Sequence, residues 1–419
     1  MQPPLRFGIF AAPFHSHRQN PTLHFQSDLE LIERLDELGY DEAWIGEHHS
    51  GGWEMIGSPE LFCATAAERT RRIKLCTGVV SLPYHHPLIL ADRIVQLDHL
   101  TRGRIKFGVG PGALANDAHM MGIDHMQMRR MMEESLEALL LLLNSDEPVN
   151  MKTDWFELVD ARLQHRPYQY PRIPMSVAAT SSPSGPRCAG RFGLGLLSMS
   201  ASSAAGFDAL ASHREIWKAK AEEHGQTFDP GEWALAAPMY VAQSREEALR
   251  DVETGIYEWI DYFMNVLSLP LLPNAEPDPR KWPELMIASG AAVIGTPDDA
   301  IEQIRRMQEQ TGGFGCYLVL ANDWAGQEAT HRSYELIARH VFPAFQGSSE
   351  RETASYRHLR AIREEHLGEI GQAIQREIDR HETEMKSSGR DSGYRMDRDD
   401  ATPYLREDIL KRGKEDPDK

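Results

Sequence analysis

Short apolar runs alternate with segments of helical period along most of the chain. The first run, residues 7–10, precedes a segment at residues 25–38 in which leucine and isoleucine recur every three or four positions, as on one face of a helix. A strand followed by a helix is the repeating unit of a parallel sheet. The same alternation predicts eight strands, at residues 7–10, 42–46, 73–80, 105–109, 175–178, 194–198, 234–241 and 316–320.

The alternation of strands and helices predicts the fold class. Helical patterns at residues 59–70, 88–100 and 129–143 separate the early strands. Eight strands that alternate with helices are typical of a closed (β/α)8 barrel, so we predict an α/β TIM barrel with insertions. An open, doubly wound parallel sheet is the alternative that this pattern leaves open.

Two regions fall outside the repeat. Residues 256–290, between the seventh and eighth predicted strands, contain a proline-rich stretch that predicts a long loop or mobile lid. From residue 348 the chain is densely charged, and an isoleucine and leucine stripe at residues 359–378 predicts one long amphipathic helix. Beyond about residue 386 we expect disorder or a segment draped over a neighbour. We therefore predict a barrel at residues 1–347 and a charged helical extension at residues 348–419.

The charge of the chain excludes some classes of partner. Its 63 Asp and Glu outnumber its 45 Lys and Arg, so the formal net charge is −18. This charge repels phosphate backbones and anionic lipid headgroups, so we expect no binding to nucleic acid or membranes. Without an apolar signal core or a run of about 18 apolar residues, we expect a cytoplasmic protein. The scattered cysteines are expected to be reduced structural thiols: Cys63, Cys76, Cys188 and Cys316.

The most polar segment at a strand end follows the second predicted strand. In a (β/α)8 barrel the reacting groups lie at the C-terminal ends of the strands. The segment there reads Glu47-His48-His49. A carboxylate beside an imidazole can orient the ring and adjust its pKa for proton transfer, so Glu47 and His48 are candidate catalytic residues. Strand capping and hydrogen bonding to the backbone are the structural alternative.

A metal site is a weaker interpretation. His15 and His17 follow the first strand, with the spacing found in metal-dependent amidohydrolase barrels. The later strands lack the further ligands of that pattern, because the fourth ends at Gly110 without a lysine and the fifth and sixth end without histidine. Asp323, after the last strand, is the remaining candidate. We therefore predict no metal.

Two further segments favour a cofactor with a phosphate and a flat ring. After the fifth strand, small residues open a short helix, whose free N–H groups and dipole favour an anion; they are Ser181, Ser182, Ser184 and Gly185. Gly108, Gly110 and Gly112 end the fourth strand and would let a flat ring lie against the backbone. With His48, these features suit a flavin mononucleotide enzyme. Ordinary helix capping and a phosphorylated substrate stay open as alternatives.

Several segments resemble one family when taken together. Residues 5–345 resemble the bacterial luciferase-like flavin monooxygenases, and more closely their limonene monooxygenase type. No single segment is specific, but their order and spacing are. The segments are RFGIF at residues 6–10, WIGEHH at 44–49, TGVVSLP at 77–83, RGRIKFGVG at 102–110 and IGTP at 294–297.

The resemblance implies roles for residues of this chain. His48 would be the proton-transfer group near the flavin, and Glu47 would orient it. Gly78 and Val79 occupy the place where the family often has a non-proline cis peptide under the flavin ring. The phosphate would lie on the Ser181, Ser182, Ser184 and Gly185 segment.

The chain departs from luciferase beside the flavin. Gly110 and Pro111 stand where luciferase has a cysteine and an arginine. This difference argues against light emission and removes a positive charge near the phosphate. Arg187 is the candidate replacement for that charge.

The resemblance also implies a mechanism and partners. Reduced FMN, delivered by a separate NAD(P)H-dependent flavin reductase, would react with O2 to form a flavin 4a-peroxide that oxygenates a small hydrophobic substrate, such as a terpene or an aldehyde. A homodimer is expected. FAD or a deazaflavin as cofactor, and a non-catalytic flavin-binding protein, are the alternatives. Apolar candidates for the substrate site are Phe10, Phe14, Trp53, Met55, Tyr84, Met120 and Met121.

Overall fold

A computed structural model of the protein describes residues 4–11, 14–267 and 276–393. Seven of the eight predicted strands are found in these ranges with shifted ends, and the third is divided into two short strands. The strands of this part of the chain are β1 (Arg6–Ala11), β2 (Glu42–Ile45), β3 (Lys74–Thr77), β4 (Val80–Ser81), β5 (Ile105–Gly110), β6 (Val149–Lys152), β7 (Glu157–Ala161), β8 (Met175–Ala179), β9 (Gly195–Ser198), β10 (Trp233–Val241), β11 (Val293–Gly295) and β12 (Cys316–Leu320).

Eight strands close a parallel barrel in the order β1-β2-β3-β5-β8-β9-β10-β12. β12 returns to β1, where Arg6 lies opposite Cys316 and Phe10 opposite Leu320. This closed ring confirms the predicted (β/α)8 barrel and excludes the open sheet, because neither β1 nor β12 is left as an edge. Of the other strands, β4 pairs with β5, β11 pairs with β10, and β6 and β7 form an antiparallel hairpin.

Helices surround the barrel up to residue 346, and local sequence sets the ends of the helices. At the start of α1 (Pro21–Leu38), the Asn20 side chain accepts a hydrogen bond from the Thr22 N–H, and Gly39 ends the helix with φ of 88°. The helices that follow are α2 (Pro59–Arg69), α3 (Pro87–Thr101), α4 (Ala115–Met120), α5 (Met128–Asn144), α6 (Ser184–Phe192), α7 (Ala204–Glu223), α8 (Arg245–Val252), α9 (Ile256–Asn265), α10 (Trp282–Ser289), α11 (Pro297–Thr311), α12 (Gln327–Leu336), α13 (Phe342–Gln346), α14 (Glu350–Ala361) and α15 (Arg363–Ser387).

The barrel interior is packed with side chains. Alternate strand residues face inward, so Phe7 packs outside the barrel whereas Phe10 shares an interior cluster with Trp44. Near the N-terminal ends of the strands, Nζ of Lys106 lies 2.7 Å from Glu232 and 5.3 Å from the centroid of the Trp44 ring. All four cysteines are buried and free of disulfides.

The third predicted strand is interrupted. β3 ends at Thr77 and β4 begins at Val80, with Gly78 and Val79 between them. The apolar run at residues 73–80 shows no sign of this break, so the prediction of one continuous strand is wrong here. The two short strands both pair with β5.

The described parts of the segment at residues 256–290 are largely helical where a long loop was predicted. It contains α9 and α10, so the loop prediction is wrong. In α9, Trp259, Ile260 and Phe263 recur at helical spacing and are buried. Residues 268–275 lie outside the described residues, and mobility of the segment stays a prediction.

The contacts divide the chain into two units, one ending at Gln346 and one beginning at Gly347. In the second unit the predicted single helix is wrong, because α14 and α15 are separate helices that meet at Ile362, whose φ and ψ are −100° and 11°. The disorder expected beyond residue 386 falls largely on residues 394–419, outside the described residues. Across the described ranges, no helix has the length and apolar character to cross a membrane.

Gly108 is a position at which the barrel has no room for a side chain. A Cβ there would lie 2.0 Å from the carbonyl oxygen of Thr77 and 2.8 Å from the Trp44 ring. We expect Gly108→Ala to lower the free energy of unfolding, measured by urea denaturation, by about 2 kcal/mol, because packed groups must move. Gly326→Ala is the control, since a Cβ at Gly326 meets nothing within 4 Å. Equal losses in both variants would contradict the prediction.

Candidate active site

The loop after β2 brings the Glu47-His48-His49 segment to the C-terminal end of the barrel. The backbone N–H of His48 donates to the backbone carbonyl of Ile56 at 3.0 Å. This hydrogen bond fixes the segment against a later part of the same loop. Neighbouring side chains of an extended segment point to opposite sides. Glu47 and His48 accordingly enter two different networks.

His48 lies between two carboxylates. Its Nε2 is 3.0 Å from Oε2 of Glu54, and its Nδ1 is 3.4 Å from Oδ2 of Asp117, without the alignment of a hydrogen bond. Burial of the ring, which is 14% exposed, opposes its charge, but attraction to Glu54 and Asp117 outweighs burial and raises the pKa of His48 to about 10. At neutral pH, His48 is therefore an imidazolium with a proton on each nitrogen.

Glu47 binds other partners than the one predicted. Its Oε1 accepts from Nε2 of His85 at 2.7 Å and from Nε2 of His49 at 3.3 Å, and its Oε2 accepts from the Ser81 N–H. Burial alone would raise the pKa of Glu47, but these hydrogen bonds lower it to about 2. The prediction that Glu47 orients His48 is wrong, because the two side chains leave the backbone in opposite directions.

Glu54 and Asp117 orient His48 instead, and sequence reasoning missed both. Oδ1 of Asp117 accepts from the Ser50 hydroxyl, and Oε2 of Glu54 accepts from the Tyr262 hydroxyl at 3.2 Å. Glu54 lies close to the motif in sequence and could have been considered with it. Asp117 on α4 and Tyr262 on α9 are too far along the chain for any motif to connect them with His48.

The structure brings Gly78, Val79 and Gly110 together. The Gly78–Val79 peptide bond is cis, which confirms the expectation from the family resemblance. A Cβ at Gly110 would lie 2.7 Å from Cγ2 of Val79, and a Cβ at Gly78 would lie 3.0 Å from the Phe10 ring. These positions therefore form one closely packed patch at the C-terminal ends of β3 and β5.

The flat glycine surface expected at the end of β5 is wrong in part. A Cβ at Gly108 would meet the Trp44 ring, and a Cβ at Gly112 would lie 2.5 Å from the Tyr84 hydroxyl. Protein side chains thus take the space beside these two glycines. The side chain beside Gly110 is that of Val79, which the family resemblance itself places at the ring, so Gly110 stays a candidate for contact with the ring.

The segment after β8 fits a phosphate group. Ser181 is exposed, and the hydroxyls of Ser182 and Ser184 are 2.9 Å apart. No side chain caps the start of α6, so the N–H groups of Ser184 and Gly185 in its first turn are available to an anion. A Cβ at Gly185 would lie 2.7 Å from the carbonyl oxygen of Ala178, so glycine is needed for α6 to begin this close to β8. Because β8 neighbours β5, the segment lies at the same end of the barrel as the glycine patch.

A separate polar cluster follows β1. His15 lies between Asp28, 2.8 Å from its Nε2, and Asp323, 3.0 Å from its Nδ1; burial opposes its charge, but these contacts raise its pKa to about 9. His17 turns away toward Trp53, with ring centroids 6.4 Å apart. The cluster borders a cavity of about 580 Å³. Within the described ranges, no group of three or more His, Cys, Asp or Glu side chains is arranged to hold a metal ion.

Glu47→Gln is expected to lower the free energy of unfolding at pH 7 by about 3 kcal/mol, because His49 and His85 lose their buried charge partner. The folded state lowers the pKa of Glu47 from 4.5 to about 2, so this stabilisation is complete above pH 4.5 and is lost as the pH falls toward 2. Urea denaturation should show a constant gap between wild type and variant near neutral pH that narrows in acid. Glu258→Gln, at an exposed position on α9, is the control. A gap that stays constant in acid would refute this account.

Two relatives that match most of the chain are monooxygenases by name. Residues 5–313 match the family model of luciferase-like monooxygenases. Limonene 1,2-monooxygenase from Rhodococcus erythropolis is 49% identical over 81% of this chain and 87% of its own. For 4-hydroxyprotoasukamycin monooxygenase from Streptomyces nodosus subsp. asukaensis, the identity is 47% over 84% of this chain and 95% of its own.

A solved structure shares the barrel. It is the oxygenating constituent of 3,6-diketocamphane monooxygenase from Pseudomonas putida in complex with FMN, with a TM-score of 0.67 and 25% identity over 81% of this chain and 98% of that one. The family model and the relative with 49% identity both span most of the chain. On these grounds the chain belongs to the luciferase-like monooxygenase family.

Proposed function

We propose that the protein is a reduced-FMN-dependent monooxygenase that inserts one oxygen atom of O2 into a small hydrophobic organic substrate, with a separate NAD(P)H-dependent flavin reductase. The observation that carries the proposal is the placement of the His48 ring between the carboxylates of Glu54 and Asp117, at the end of the barrel where the anion segment also lies. The names of the relatives and the FMN in the diketocamphane enzyme support it. A homodimer in the cytoplasm stays a prediction.

The flavin would lie across the glycine patch and the start of α6. Ser182, Ser184 and the first-turn N–H groups of α6 would hold its phosphate, and Gly78, Val79 and Gly110 would border its ring. Arg187, exposed on α6, stays the candidate counter-charge. When bound in its reduced form, the flavin supplies the electrons that activate O2, chemistry that protein side chains lack.

His48 would supply the proton that oxygen insertion requires. Its two ring protons differ, because Nε2 lies 3.0 Å from Glu54 whereas Nδ1 is fully buried, 3.4 Å from Asp117. We assign the Nε2 proton to the transfer, since a buried Nδ1 cannot reach a substrate. Since His48 stays charged at neutral pH, the proton is in place before the substrate arrives.

Aromatic side chains would exclude water and take an apolar substrate. Phe14 packs against Tyr262 and Phe263 of α9, with ring centroids 5.9 and 5.1 Å apart, and Trp53 packs against Tyr262 at 5.5 Å. Exclusion of water prevents side reactions during oxygen insertion and strengthens the electrostatic contacts of His48. Terpenes and aldehydes are the substrate classes that we propose to test.

His48→Ala is expected to keep the affinity for reduced FMN and to lower turnover by about 100-fold or more, because general acid catalysis contributes at least this factor. Affinity is measured by anaerobic titration, and turnover by mass spectrometry of products after O2 is added with monoterpenes and aldehydes. His224→Ala, at the exposed end of α7, is the control. Full turnover in His48→Ala would remove His48 from the mechanism. A wild type that ignores O2 but reduces substrates with a deazaflavin would refute the monooxygenase proposal.

The phosphate segment predicts a preference for FMN over riboflavin. Replacing both Ser182 and Ser184 with alanine is expected to weaken FMN binding by about 10-fold and to leave riboflavin binding unchanged, since hydrogen bonds to a charged phosphate are lost. Both affinities can be measured by fluorescence quenching of the flavin. Ser212→Ala, exposed on α7, is the matched control. Equal weakening for both flavins would show that the serines do not contact the phosphate.

A further inference from the structure

α9 brings a tyrosine into the candidate active site. The helix lies between β10 and β11 in the chain, and Tyr262 on it is buried, with 1% of its surface exposed. Its ring packs against Phe14 and Trp53, so apolar contacts fix the position of the hydroxyl. That hydroxyl donates to Oε2 of Glu54 at 3.2 Å. A residue of α9 therefore contacts Glu54, the carboxylate that lies beside His48.

Tyr262 and His48 share one oxygen atom. Oε2 of Glu54 lies 3.0 Å from Nε2 of His48, and the same Oε2 accepts the hydroxyl hydrogen of Tyr262. A carboxylate oxygen that serves two donors attracts each of them less strongly, because one negative charge is divided between them. The Tyr262 hydroxyl consequently weakens the hold of Glu54 on the His48 proton.

We propose that Tyr262 is a positioning residue that acts on His48 through Glu54 and ties proton donation by His48 to the placement of α9. The inference rests on the proposed function, in which His48 supplies a proton. With α9 in place, Glu54 divides its charge between two donors, and His48 releases its proton more readily. Without the Tyr262 hydroxyl, Glu54 serves His48 alone, and the proton is retained. The placement of α9 thus controls how easily His48 donates its proton.

The titratable groups that face His48 come from several parts of the chain. Glu54 follows β2 and Asp117 belongs to α4, and both attract the charged ring. His49, next in sequence, repels it when protonated, and Tyr262 of α9 acts through Glu54. Because Asp117 is untouched in a Tyr262 variant, His48 is expected to stay protonated at neutral pH. The effect of Tyr262 can therefore be measured on the charged ring itself.

The test follows the Nε2–H of His48 by NMR at neutral pH, with 15N-labelled histidine and assignment by His48→Gln. In Tyr262→Phe we expect its proton resonance to move downfield, because the attraction of Glu54 for the Nε2 proton strengthens. In a Glu54→Ala background, Tyr262→Phe should move nothing, since the shared acceptor is gone. In the enzyme assay, Tyr262→Phe should lower kcat about 10-fold with KM unchanged, as expected for one hydrogen bond to a charged group.

Tyr240→Phe is the matched control. The Tyr240 hydroxyl donates to Asp251 of α8 at 2.8 Å, so this variant loses a tyrosine–carboxylate hydrogen bond outside the His48 network. It should leave the His48 resonance and kcat unchanged.

Two results would overturn the proposal: an unchanged His48 resonance in Tyr262→Phe, or an equal shift in the Glu54→Ala background. A shifted resonance in a wild type that oxygenates nothing would refute the proposed function and leave the coupling standing. Failure of the coupling between Tyr262 and His48 is thus distinguishable from failure of the proposed function.

Discussion

The pairing of β12 with β1 is the constraint on which the rest of the structure depends. Without it, β1 and β12 would each present unpaired N–H and C=O groups along an edge. With it, eight parallel strands form a ring whose C-terminal ends all meet at one end of the barrel. Loops that are far apart in sequence then become neighbours, and every candidate functional group lies in such a loop or in a helix packed over it.

Electrostatic pairing determines how that end of the barrel is organised. Three buried carboxylates, Glu47, Glu54 and Asp117, would repel one another if imidazoles did not divide them into two networks. Glu47 stabilises the fold above pH 4.5 and stops doing so near pH 2, whereas His48 contributes fully below pH 6.5 and stops as the pH rises through about 10. Both groups are therefore charged throughout the neutral range. The arrangement keeps a proton on His48 without removing charge from Glu47.

Apolar packing and polar contact are combined in α9. Trp259 and Phe263 bury the helix among aromatic side chains, and this burial holds the Tyr262 hydroxyl at Glu54. α9 thus contributes a polar contact to the active site as well as apolar packing around it. In the same way, Gly185 places α6 against β8, so the position of the anion segment depends on close packing as much as on its hydroxyl groups.

Local sequence determined the strands, most barrel helices and the two polar segments, because side-chain periodicity, helix caps and motifs act over a few residues. The strand predicted at residues 105–109 and the Glu47-His48-His49 segment are examples. Tertiary structure alone decided which carboxylate meets which imidazole. Glu47 reaches His49 and His85, while His48 meets Asp117 of α4 and, through Glu54, Tyr262 of α9. Those contacts depend on barrel closure and on the paths of distant loops, and no local pattern encodes them.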